Sequence, residues 1–116
     1  MIIKQLENIE KIPVNIAGAV NAFKQIAIGS NDNTPSFALR VFTLEPNGET
    51  PYHTHGFEHI NYIIDGEGFL VDAEGNEKPI KKGDFALILP MEKHQFKNAS
   101  QNNNFVMICG VPKEYE

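Results

Sequence analysis

The sequence is poor in several residue types, and each shortage narrows the classes of protein that it can encode. It has one arginine, Arg40, and a formal net charge of −5, which argues against nucleic-acid binding because such binding needs a basic surface. It has one cysteine, Cys109, so no internal disulfide can form, which fits a reducing cytoplasm. Cys109 lies in an apolar run, and the favoured interpretation is a buried thiol that packs as a small hydrophobic side chain.

Long apolar segments are missing as well. No stretch approaches the roughly eighteen consecutive apolar residues of a membrane-spanning helix. The first residues contain no basic segment followed by a long apolar run, so we expect no signal peptide, a cytoplasmic location and no membrane partner.

The composition that remains is typical of a single globular domain. The chain has 116 residues, of which 41% are apolar and 22% charged, as expected for one domain with one core. Short strand-like segments separated by glycine-rich turns recur along it, and no ten-residue amphipathic helix is present. This pattern predicts an all-β sandwich or barrel with little or no helix.

Three segments need individual predictions. Residues 1–12 form either a short helical turn or an irregular arm, and residues 37–44 form a central strand because they are apolar on both faces. The dipeptide Asn47-Gly48 predicts a tight turn that leads into the next strand.

The histidines are the most informative residues. Three of the four, His53, His55 and His59, lie at odd positions within seven residues, so an extended strand would project them to one side. The fourth, His94, lies in a second β-like segment, residues 85–98. A lone histidine in a β-protein is usually only a half-buried polar residue, but four imidazoles that converge on one point indicate a transition-metal site.

These histidines lie within a motif that has two parts. The first part is a glycine, the His-x-His pair, a third histidine and a second glycine: Gly48, His53, His55, His59 and Gly66. The second part is a glycine, a proline, a histidine and an asparagine: Gly83, Pro90, His94 and Asn98. This two-part motif resembles that of the cupin family.

The resemblance implies a jelly-roll β-barrel as a single domain over residues 1–116. Residues 1–35 would form an N-terminal arm and the first strands, and residues 36–112 the metal-binding core. The third ligand of the family is usually glutamate, but here His59 stands in that position and Glu58 is one residue out of step. This combination is similar to the small four-histidine members of the family, which tend to bind manganese.

We therefore expect one divalent transition metal per chain, bound by His53, His55, His59 and His94. Manganese is the first choice because of the resemblance, iron is the second, and nickel or zinc could load instead because nitrogen-donor sites bind both more tightly than manganese. A structural zinc site would be closed and would more often contain cysteine, whereas four imidazoles leave two octahedral positions open.

The metal would use every histidine, so none would remain as a general acid or base. Strand alternation places Phe57, Asn61, Phe96 and Asn98 on the ligand face and directs Tyr52, Glu58 and Tyr62 away. Arg40 either binds a substrate carboxylate through its forked guanidinium group or points outward. A bulge at residues 56–57 would redirect Glu58 inward. The candidate pocket residues are Arg40, Asn61, Phe96 and Glu58, with no catalytic role assigned to any of them.

Two functions remain open. One is a metal-dependent enzyme that acts on a small organic acid or related metabolite with dioxygenase-like or decarboxylase-like chemistry, because the metal itself would perform that chemistry. The other is a non-catalytic domain that binds or senses a small molecule through the metal.

The apolar face of residues 60–64 predicts a homodimer. Ile60, Tyr62 and Ile64 lie opposite the histidines and are too apolar to leave exposed to water. Pairing of two copies would cover them, and the intramolecular alternative is that the N-terminal arm covers them in the same chain.

Overall fold

The computed structural model describes the whole chain, residues 1–116. Nine β-strands form one curled antiparallel sheet, and the only helical segments are three single 3-10 turns. The prediction of an all-β jelly-roll barrel with little or no helix is confirmed. The strands are β1 (Ile12–Pro13), β2 (Val20–Ile28), β3 (Phe37–Glu49), β4 (His59–Asp65), β5 (Glu67–Val71), β6 (Glu77–Lys81), β7 (Phe85–Ile88), β8 (Gln95–Asn98) and β9 (Phe105–Pro112).

Strand β3 is the centre of the sheet. The strand order is β6-β5-β8-β3-β9-β4-β7, and β2 pairs with β3 and with β1. The thirteen residues of β3 pair with β2, β8 and β9, so the predicted central strand at residues 37–44 is confirmed. Because β3, β9 and β4 are neighbours, their inward-facing residues line one shared interior.

In β9, every second side chain is buried in the core that fills this interior. Phe105, Met107, Cys109 and Val111 are buried, while the residues between them are half-buried. Each large apolar side chain removed from water stabilises the fold by about 1.5–3 kcal/mol. The largest core cluster consists of Ala22, Leu44, Ile63, Ile80, Phe96, Phe105 and Met107.

The turn predicted at Asn47-Gly48 is wrong, because both residues lie inside β3. The register with β2 moves from Val20 opposite Glu49 to Ala22 opposite Leu44, so β3 carries extra residues in a bulge. Asn47 adopts a positive φ of 64°, which asparagine tolerates in bulges as well as in turns. A side chain on Gly48 would come within 2.7 Å of the Glu45 carbonyl oxygen, so the bulge requires glycine there.

The N-terminal arm packs on β2. It contains a 3-10 turn at Leu6–Asn8, and the Gln25 side chain donates to the carbonyl oxygens of Leu6 and Ile9 at 2.9 and 3.0 Å. Lys4 forms an ion pair with Asp32 at 2.8 Å. The arm therefore lies over the edge of the sheet that β2 forms.

None of the helical segments has the length and apolar character to cross a membrane.

Candidate metal centre

The four histidines come from three places that the sheet brings together. His59 opens β4, and His94 directly precedes β8. His53 and His55 lie in the connection between β3 and β4, where His53 and His94 form an isolated β-bridge with N–O distances of 3.2 and 3.1 Å. This bridge holds the first histidine pair against His94.

The predicted extended strand through His53 and His59 is wrong, because residues 54–58 belong to no strand and bend at residues 56–57. The prediction of a single β-like segment over residues 85–98 is also wrong. Two strands, β7 and β8, occupy this range, and Met91 lies between them with a positive φ of 66°. The histidines therefore meet through a loop and a bridge, and strand alternation explains only the inward position of His59.

The imidazole rings form one compact cluster. His55 and His94 lie 4.9 Å apart between ring centroids, and each lies within 5.3 Å of both His53 and His59. The ligating nitrogens of His53, His55 and His94 are within 4.8 Å of one another, so these three could hold a metal ion. His59 is adjacent, with its Nε2 3.1 Å from the Nε2 of His94.

The outer nitrogens of three rings have fixed oxygen partners. Nδ1 of His55 donates to the Phe57 carbonyl oxygen at 2.8 Å, and Nδ1 of His94 donates to the Glu92 carbonyl oxygen at 2.7 Å. Nδ1 of His59 donates to Oδ1 of Asn61 at 2.6 Å. Because a carbonyl oxygen only accepts, the proton of each neutral ring is on Nδ1, and the Nε2 lone pair is free.

Burial favours the neutral form of three of the four histidines. It lowers the pKa of His59 to about 3, against a smaller opposing effect of the hydrogen bond to Asn61. It also lowers the pKa of His53 and of His94. The lone pairs of His59 and His94 therefore face each other at 3.1 Å with no proton between them. A cation resolves this repulsion, and histidine ligands of metals typically donate their second nitrogen to a carbonyl group in this way, so the residues fit a divalent metal.

The cluster opens into a cavity of about 140 Å³. This volume is close to that of a cavity of about 150 Å³ that accommodates benzene. No aspartate, glutamate or lysine lines the cavity, and Arg40 is the one arginine in its wall. The apolar wall is formed by Val14, Ile16, Ala22, Phe42, Pro51, Phe57, Phe96 and Met107.

Comparison with known proteins agrees with this architecture. The family model described as cupin domain matches residues 40–111, well over half of the chain. The chain belongs to the cupin domain family.

Proteins similar to this cupin include a polyketide cyclase, a predicted oxalate decarboxylase and an uncharacterised protein. The polyketide cyclase RemF from Streptomyces resistomycificus is 26% identical and superposes with a TM-score of 0.91 over 97% of this chain and 79% of its own. A predicted oxalate decarboxylase from Thermotoga maritima is 23% identical with a TM-score of 0.80, over 97% and 99% of the two chains. An uncharacterised protein of Aquifex aeolicus (strain VF5) is 27% identical over 84% of this chain and 77% of its own.

The candidate pocket residues divide into two groups. Arg40, Asn61 and Phe96 line the cavity of the cupin, whereas Glu58 is exposed and lies outside it. Asn61 is 2% exposed and orients His59 while its Nδ2 contacts the Met107 sulfur at 3.4 Å.

The prediction that Asn98 faces the ligands is wrong. Its side chain donates to the carbonyl oxygens of Leu44 and Asn103 at 2.9 and 2.8 Å. It closes the loop after β8 instead, because β8 ends at this residue.

The sequence reasoning missed two parts of the cavity wall. Met107 and Cys109 line it from β9, whose sequence from Phe105 to Val111 is continuously apolar; such a run predicts a buried strand and does not indicate which of its two faces lines a cavity. Val14 and Ile16 line it from the segment before β2. No local pattern identifies these two, because their position depends on how the arm folds over the barrel.

Proposed function

We propose that this cupin is a metal-dependent enzyme that acts on a small carbonyl-bearing organic acid or related metabolite. The observation that supports this most is the donor arrangement: imidazole lone pairs directed at one another beside an apolar cavity. In this proposal His53, His55, His59 and His94 bind one divalent metal, manganese first and iron second, in a cytoplasmic protein.

A divalent ion bound here would act as a Lewis acid that polarises a carbonyl or carboxylate oxygen. The side chains of the protein would position the substrate and exclude water from the cavity. Phe57 stacks on His55 with centroids 4.0 Å apart, and Phe42 and Phe96 belong to the same wall. These rings keep the cavity apolar, which strengthens electrostatic interactions inside it.

The cavity offers little for proton transfer. The Cys109 thiol is buried, and burial raises its pKa, so it stays protonated near neutral pH. With no carboxylate in the wall, the residues favour a reaction in which polarisation of the substrate lowers the main barrier. The similarity to a polyketide cyclase supports cyclase-like bond formation on a carbonyl compound, and decarboxylase-like or dioxygenase-like chemistry on an organic acid remains compatible.

The test measures the three chemistries in parallel on protein whose metal content is known. Purified protein is incubated with a set of small β-keto acids and 3,5-diketo thioesters, while NMR follows cyclised products and separate sensors follow carbon dioxide release and oxygen consumption. We expect turnover in one of these assays that is lost in His59→Ala. Absence of turnover in all three with metal bound would contradict an enzymatic role on these substrates.

The alternative is a non-catalytic domain that binds or senses a small molecule. The absence of a protein acid or base from the cavity wall favours it, because binding needs neither. The same experiment separates the two functions: saturable binding of a keto acid without any conversion would support the binding domain.

A further inference from the structure

Arg40 is a cation without a counter-ion. It extends from β3 into the cavity wall, where its Nε is buried and has no hydrogen-bond partner. Its Nη2 donates to the Cys109 sulfur at 3.0 Å, and its guanidinium carbon lies 4.9 Å from the Phe42 ring centroid. Neither contact supplies a negative charge.

The surroundings of Arg40 offer no acid either. The protein has three ion pairs, formed by Lys4, Lys78 and Lys97, and Arg40 takes part in none of them. The thiol that Arg40 contacts stays neutral because burial raises its pKa. Arg40 lines the same cavity as the four histidines, so its guanidinium group lies beside the candidate metal centre.

An unpaired buried donor on a charged group is costly, and native proteins normally satisfy it. A planar oxyanion is the partner that a guanidinium group recognises best, through two parallel hydrogen bonds. We propose that Arg40 is a specificity residue that binds the anionic group of the ligand. The ligand class is then an apolar body with one carboxylate or comparable planar oxyanion. This inference rests on the proposed function for the role of the neighbouring metal.

The size of the cavity suggests the probe. At about 140 Å³ it accommodates about one six-membered ring, so benzoate is a suitable anion and benzamide its neutral analogue of the same shape. Binding of both is measured by calorimetry with zinc-loaded protein, since zinc has no redox chemistry. The variants are Arg40→Met, Arg40→Lys and, as a control with the same change in charge, Lys97→Met, because Lys97 pairs with Glu77 away from the cavity.

We expect the parent protein and Lys97→Met to prefer benzoate over benzamide by about tenfold or more, as a charge-assisted bidentate pair does. Arg40→Met should bind the two probes alike, and Arg40→Lys should keep part of the preference because an ammonium group is a point charge without the fork. A benzoate affinity in Arg40→Met within about twofold of the parent value would overturn the proposal.

A second measurement needs no variant. Arg40 is the one arginine in the chain, so the arginine Nε–H gives a single signal in a ¹⁵N NMR spectrum. Benzoate should shift this signal in a saturable way and benzamide should not, whereas no shift at millimolar benzoate would overturn the proposal. The zinc content of the same samples distinguishes failure of the metal-dependent function from failure of the Arg40 anion site. Protein that binds no zinc but still shows the benzoate shift would contradict the proposed function and support the anion site.

Discussion

The position of each imidazole proton decides what the histidine cluster can bind. In His55, His59 and His94 an oxygen atom accepts from Nδ1, so the inner Nε2 carries the lone pair. Asn61 is the one side chain among these acceptors, and it is itself held by Met107. Asn61 is therefore a positioning residue for His59, and its amide oxygen determines the direction in which that ring can donate electrons.

The first prediction tests which of two adjacent residues, His59 or Glu58, binds the metal. His59→Ala should lose most of the bound metal, because it removes a buried donor whose Nε2 lies 3.1 Å from that of His94. Glu58→Gln should keep the metal, because Glu58 is exposed and outside the cavity. Elemental analysis of tag-free protein measures both. Equal metal content in the two variants would show that His59 is not a ligand.

The second prediction concerns acid stability of the protein after treatment with a chelator. Burial lowers the native-state pKa of His59 to about 3, whereas an unfolded histidine titrates near about 6.5. The unfolded state thus binds more protons between these values, and the free energy of unfolding falls as the pH decreases through this window. His59 alone contributes a slope of up to about 1.4 kcal/mol per pH unit.

Urea unfolding curves between about pH 7 and about pH 5 measure this slope before most carboxylates titrate. His59→Gln should reduce it, and a free energy of unfolding that is constant over this range would contradict the prediction. Added metal should raise the free energy of unfolding most at the upper end of the range, because protons compete with the metal for the imidazoles.

The sequence identified these residues better than it identified the elements that hold them. The spacing of the four histidines and the glycines between them was sufficient to indicate one cluster, because the motif fixes which side chains meet. The path of the backbone was not predictable in the same way. His53 and His94 meet through a two-residue bridge, and a contact so distant in sequence leaves no periodic signal. Asn47-Gly48 was similarly ambiguous, since asparagine can adopt a positive φ, as Asn47 does here, in some bulges as well as in tight turns.

The loop between β3 and β4 is held from outside by an aromatic stack. His55, Phe57 and Tyr115 lie parallel, with successive centroids 4.0 and 4.1 Å apart. Tyr115 belongs to the last 3-10 turn, Lys113–Tyr115. Next to it, Glu116 accepts from the backbone amide and the hydroxyl of Ser30 at 2.7 Å each. The C-terminal turn therefore supports the ring that covers His55.

The third prediction removes this support. Tyr115→Ala should destabilise the protein by about 0.5–1.5 kcal/mol, the usual value of an aromatic pair, and should weaken metal binding because Phe57 and His55 become more mobile. Glu114→Ala is the control, since Glu114 is exposed in the same turn. Thermal unfolding and competition with a chelator measure the two effects. Unchanged metal affinity in Tyr115→Ala would show that the stack does not position His55.

The outer face of the sheet carries an apolar row that crosses four strands. Leu39 of β3 and Ile60 of β4 both pair with Gly110 of β9, which lies between them. Ile60 also pairs with Leu87 of β7 on its other side. The exposed fractions of Leu39, Ile60 and Leu87 are 41%, 56% and 56%. The arm does not cover them, because it packs on β2, and β3 and β9 separate β2 from β4. The intramolecular alternative therefore does not account for this face.

The last prediction is that a second copy of the chain covers this face in a homodimer. Apolar surface of this extent on neighbouring strands marks an interaction site, and a two-fold dimer places the same row from each copy in contact. Light scattering should give about twice the chain mass of 13.0 kDa. Ile60→Asp should produce monomers, because each copy would bury an unpaired charge. Val20→Asp should remain dimeric, because Val20 is 44% exposed at the other edge of the sheet. A monomeric parent protein at micromolar concentration would refute the homodimer, and a dimer that survives Ile60→Asp would place the interface elsewhere.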